Sequence, residues 1–202
     1  GSEMCIRDRS EAASEINLVQ NGRFAWLVNG KPEGWVPNSY TISDEHPVGQ
    51  PLSKSMRVSN TMNGYARTHQ VIPLNLLADE ATFLLSGWGK ANSVGGTARK
   101  HEDGDERYFG LVAEIAYTDG TTENQYVSFN GDYADWQFAS GVIVPGKRDK
   151  WVQEITVRCA YDYNANDAYF TNISLVLEPA ETYSYDSKGN PIAVSYTHLT
   201  LP

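Results

Sequence analysis

From Phe109 to Tyr117 every second residue is apolar: Phe109, Leu111, Ala113, Ile115 and Tyr117, with Gly110, Val112, Glu114 and Ala116 between them. A helix would scatter the first set around its circumference. An extended chain, whose side chains point alternately to opposite faces, gathers them on one side. The same alternation returns at Ile155, Val157, Cys159 and Tyr161, opposite Thr156, Arg158, Ala160 and Asp162. Asp119-Gly120 favours a tight hairpin from the first run into Gln125–Phe129, and Tyr169–Leu177 forms a closing strand.

Elsewhere short apolar stretches are split by turn chemistry. Examples are Asn29-Gly30-Lys31-Pro32-Glu33-Gly34, Asn63-Gly64 and Pro145-Gly146. Many short strands separated by such turns predict an all-β fold, a two-sheet antiparallel sandwich. At 202 residues the chain has room for one such domain with a sizeable core. No run of eighteen apolar residues is present, so no membrane span is expected.

The formal net charge is −9. Nucleic-acid binders draw most of their affinity from phosphate contacts by a basic face, and no such face is visible, so no nucleic-acid partner is expected. Cys159 alternates with core residues and has no nearby His to activate it, so it reads as a small buried hydrophobe.

Both ends read differently from the rest. Back-translated, residues 1–9 and 194–202 can be written as DNA whose central stretches are reverse complements, matching a transposon-based sequencing adapter. They are expected to be adapter-derived and are set aside from fold reasoning. Setting aside 1–9 removes Cys5, which leaves Cys159 without a disulfide partner. The sandwich is expected over 10–179, with the start of another unit over 180–193.

That last unit carries one partial copy of a known repeat. Tyr183, Tyr185, Asp186, Gly189 and Asn190 fall as in the YD repeat of RHS-type proteins. The preceding residues resemble the jelly-roll, galactose-binding-like module found before such repeats in bacterial wall-associated proteins. Its landmarks occur in order: Asn21-Gly22-Arg23-Phe24, Gly34-Trp35, Leu84–Ala91, Tyr117–Thr121, Trp136-Gln137 and Ala168–Ile173. The resemblance implies a non-catalytic carbohydrate-binding module of a large secreted or cell-wall protein, whose partners are a glycan and the rest of the parent chain. Related modules place carboxylates for a structural calcium where this chain has Ala25 and Thr171, so neither that calcium nor another cofactor is expected.

Sugar binding needs aromatic platforms together with polar groups for hydroxyls. Arg57, Glu114, Tyr126 and Arg158, with Trp88 as platform, are the candidate carbohydrate-binding residues; the plainer alternative is a solvated sheet face of cross-strand charge pairs. Trp35 and Trp136 are expected to cap the core, and Trp151 fits either role. The loop His101–Glu106 lacks the alternating ligand spacing of a calcium site. Glycoside hydrolysis needs two flanking carboxyls, and Glu114 has no acidic companion on its strand. His46, His69 and His101 show no ligating or catalytic spacing, so no enzyme is expected. The competing non-enzymatic reading is a ligand-free spacer packed against the repeat shell.

Overall fold

The computed structural model describes residues 16–36, 40–61, 64–92, 107–178, 181–185 and 191–196. Thirteen strands run through these residues in a β-sandwich. A two-residue hairpin, β1 (Leu27–Val28) and β2 (Lys31–Pro32), comes first. Its turn residues Asn29 and Gly30 both have positive φ, 53° and 75°, as a tight hairpin of this hand requires.

One layer has four antiparallel strands, in the order β5 (Arg67–Leu77), β10 (Trp151–Asp162), β7 (Tyr108–Tyr117) and β8 (Thr122–Ser128). The other has five: β3 (Tyr40–Ser43), β4 (Ser55–Thr61), β11 (Ala165–Leu177), β6 (Phe83–Ala91) and β9 (Gln137–Ile143). A 3₁₀ turn, Ala78–Glu80, carries the chain from β5 in the first layer to β6 in the second.

The expected alternations place the core. Phe109, Leu111, Ala113, Ile115 and Tyr117 of β7, and Ile155, Val157, Cys159 and Tyr161 of β10, are all at most 1% exposed. Phe109 sits at the centre, with ring centroids 4.9 Å from Phe129, 5.6 Å from Tyr161 and 5.7 Å from Phe170 of the opposite layer. Burial strongly raises the pKa of the Cys159 thiol, which keeps it protonated and unreactive. The β7–β8 turn forms at Asp119-Gly120, where Gly120 has φ 82° and Asp119 accepts a hydrogen bond from the Thr121 amide at 3.0 Å.

The outward residues of β10 depart from a simple solvated face. Thr156, Ala160 and Asp162 are 5%, 0% and 1% exposed. Their cover comes from neighbouring strands: Arg67 of β5 grips Asp162 with a forked pair of hydrogen bonds, and the Tyr108 ring lies over Gly110 beside Ala160.

A second hairpin, β12 (Glu181–Tyr185) with β13 (Pro191–Tyr196), follows. It holds Tyr183 and Tyr185 of the YD-like stretch, and it pairs residues 194–196 of the segment read as adapter-derived with β12. Asp186, Gly189 and Asn190, the loop His101–Glu106 and residues 1–9 lie outside the described residues.

Candidate functional site

The five expected site residues fall on two different faces. Glu114, Tyr126 and Arg158 point outward from the four-stranded layer, where β10 and β7 are neighbours and Arg158 donates to Glu114 at 2.7 Å. Register continues this row as His69, Arg158, Val112, Tyr126 across all four strands. Tyr126 meets Tyr108 edge to face at 5.3 Å, and burial pushes the Tyr108 phenol up to about 12. Burial and then the Arg158 charge hold His69 below its ordinary value, against the opposing pull of Glu114. On this face Glu114 and Asp162 are each held by an arginine rather than by a second acid.

Arg57 and Trp88 point outward from the five-stranded layer. Arg57 pairs with Asp167 at 2.5 Å, and Ser59 donates to the same carboxylate. Next in the row, Tyr169 lies under Lys90, whose ammonium is 5.5 Å from the ring and 2.8 Å from Glu45. Trp136 packs edge-on against Tyr169 at 6.3 Å. It is therefore a half-buried ring on the outer face and not the core cap expected of it, because Tyr169 itself faces outward. Trp35 does cap the core, 5.0 Å from Phe24 with its indole N–H donating to the Gln20 carbonyl. Trp151 is 48% exposed.

Trp88 has a different neighbourhood from Arg57. Its ring lies 5.7 Å from Phe138 on the adjacent edge strand β9, and Phe138 is 54% exposed. Beside them opens a cleft of about 320 Å³, whose polar wall is Asn17, Arg23, Gln50 and Asn172. A bulge in β11 builds that wall: the register with β6 shifts between Thr171 and Ser174, and Asn172 takes a left-handed φ of 52°. Asn172 lines the cleft and accepts from Ser53 through its amide oxygen at 2.7 Å.

The segment preceding β1 closes against the same bulge. Asn17 accepts from the Leu175 amide and donates to the Ile173 carbonyl, and Ile173 donates to Gly22 at 3.0 Å. A Cβ on Gly22 would lie 2.0 Å from the Ile173 oxygen, so only glycine permits this contact. Thr171, at the position of a calcium ligand in the resembled modules, donates to the Lys54 carbonyl at 2.6 Å. No group of three or more His, Cys, Asp or Glu residues suited to a metal ion occurs among the described residues.

Asn17, Gln50 and Asn172 are site residues that sequence reasoning missed. Gly22, Arg23 and Asn172 lie within motifs recognised as landmarks, but nothing local signals that a bulge in the last long strand joins them to Trp88. A larger hollow of about 490 Å³ along β5 holds no aromatic ring, and the Gln70 amide that borders it is spent on the Gln20 and Gly34 carbonyls.

No family model matches the chain. Among curated proteins it is similar to tRNA nuclease WapA of Bacillus subtilis strain 168, at 27% identity over 187 residues. That match covers 91% of this chain and 7% of that protein, so the chain spans a small fraction of its relative's length. Among solved structures it is similar to Family 16 Carbohydrate Binding Module-2, with TM-score 0.50 and 20% identity over 74% of this chain and 98% of that one. The CBM22-1 xylan-binding domain from Paenibacillus barcinonensis Xyn10C gives TM-score 0.51 and 12% identity, covering 81% and 95%. The fold is a jelly roll. A Stig cyclase, Fisc from Fischerella sp. TAU, also shares it, with TM-score 0.53 and 14% identity over 83% and 100%. Likeness at these identities speaks to the fold alone, and function must be argued from the cleft.

Proposed function

We propose that the chain is a non-catalytic carbohydrate-binding module of a larger secreted or cell-surface protein, and that it holds its glycan at the Trp88–Phe138 cleft. The observation that carries this reading is the pairing of two rings, one of them more than half exposed, with the Gln50 and Asn172 amides across a cleft of about 320 Å³; the Asn17 amide in the same wall is spent on Ile173 and Leu175. Rings offer apolar faces to the C–H faces of a sugar, and amides both donate to and accept from its hydroxyls. Of the residues expected from sequence, this proposal uses Trp88 alone. Arg57, Glu114 and Arg158 are engaged in cross-strand ion pairs, and Tyr126 is on the opposite layer.

The larger context rests on two supports: the Tyr-x-Tyr-Asp-x-x-Gly-Asn stretch resembling RHS repeats, and the relative of which this chain matches 7%. The nuclease activity named for that relative is not assigned to this segment. Glu114, Asp162 and Asp167 are each held by an arginine, which leaves none of them poised as general acid or base. No helix among the described residues is long and apolar enough to cross a membrane. Placement outside the cell follows from the proposed glycan role.

Screening the purified chain on a glycan array, followed by calorimetry, tests the reading. Trp88→Ala and Phe138→Ala should each weaken binding by about tenfold or more, the loss of roughly 1.4 kcal/mol or more of ring contact, with melting temperature as a folding control. Tyr126→Ala should bind as the wild type does. Binding to no glycan would overturn the proposal in favour of a spacer domain, and cleavage of a bound glycan would overturn its non-catalytic character.

A further inference from the structure

A second hollow, about 340 Å³, shares Asn17, Gly22 and Arg23 with the first and runs to Trp26 and Leu52, which are 68% and 75% exposed. The two hollows therefore adjoin at Gly22-Arg23, the first lined also by Trp88 and Phe138 and the second by Trp26. The exposed residue Arg23 lines both hollows.

Arg23 differs from the paired arginines elsewhere in the molecule. Arg57, Arg67, Arg148 and Arg158 each hold a carboxylate. The Arg23 side chain has no hydrogen-bond or ion-pair partner among the described residues. Neither hollow is lined by an Asp or Glu, although the chain carries 25 of them and a net charge of −9. Its backbone is held in place: the Arg23 carbonyl accepts from Lys54 at 2.9 Å, and the following Phe24 amide returns to the Asn21 carbonyl. An unpaired guanidinium carried on a fixed backbone beside acid-free hollows suits a planar anion that can take its forked donors.

Building on the glycan reading, we propose that the two hollows form one continuous groove for an anionic glycan chain, with Trp88–Phe138 and Trp26 as end platforms. Arg23 binds a carboxylate or phosphate on the chain between them. The protein's overall negative charge repels such a polymer, so recognition depends on this one local cation and weakens with salt.

Affinity electrophoresis and calorimetry with three defined polymers test this: polygalacturonate, its fully methyl-esterified form, and poly(glycerol phosphate). The wild type should bind at least one anionic polymer about tenfold more tightly than the neutral ester, as a charged hydrogen-bonded pair would give. The tighter of the two anionic polymers identifies the group. Arg23→Gln should abolish that preference with its melting temperature unchanged, Arg23→Lys should restore part of it, and Trp26→Ala should weaken polymer binding. Equal binding of charged and neutral polymers, or a preference surviving in Arg23→Gln, would overturn the proposal. If a neutral glycan is still lost in Trp88→Ala, the simpler sugar-binding reading survives that failure. Binding to no polymer and to no array glycan overturns both.

Discussion

A hydrogen atom is all that fits on the Cα of Gly22. The Ile173 oxygen occupies the space a methyl group would need, and that contact ties the leading segment to β11. Gly22→Ala is therefore expected to cost about 3 kcal/mol, as an overpacked contact with backbone rather than with a yielding side chain does. Urea denaturation would measure it, and a loss below about 0.5 kcal/mol would show that the segment can shift freely. At this scale the sequence was informative where chemistry is local. The alternation around Cys159 marked a core residue, and the residue is fully buried. It was silent about Gly22 and Asn172, whose roles come from partners far along the chain, and misleading about Trp136, whose partner Tyr169 lies on the outer face of its layer and not in the core.

Among the strands, period-two patterning tells which residues share a face but not which layer a strand joins. That is why Arg57 and Trp88 were grouped with Glu114, Tyr126 and Arg158, while the pairing places them on opposite outer faces. Nor does the pattern of β10 reveal that Asp162 is covered, because the cover is Arg67 from β5. The pairing of β4 with β11 makes its own prediction. Burial raises the pKa of the Asp167 carboxyl, but Ser59 and Arg57 more than offset this and hold it below the ordinary value. Because the folded value is the lower one, the stability it contributes is complete above about pH 4 and fades as pH falls through the folded value. Asp167→Asn should thus melt about 2 °C below the wild type at neutral pH, the modest effect of a part-exposed pair, with the gap closing in acid. Thermal melts across pH would check this, and a gap independent of pH would contradict it.

The whole molecule is held by rings contributed from both layers. Phe109 touches Phe129, Tyr161 and Phe170 at once, so Phe109→Ala should remove about 4 kcal/mol, enough to leave a marginal domain partly unfolded. Circular dichroism under urea would read the loss; a cost below about 1 kcal/mol would mean that the layers close over some other centre. The sandwich as a class was legible because alternation and turns recur along the whole chain. The groove was not, because it forms where two segments from opposite ends of the domain meet. Asn17 clasps Ile173 and Leu175, and the wall of the cleft is that clasp. Tension on the stretch entering at Asn17 would therefore part the cleft wall before it reached the aromatic interior, so pulling would open that edge while the rest stayed folded.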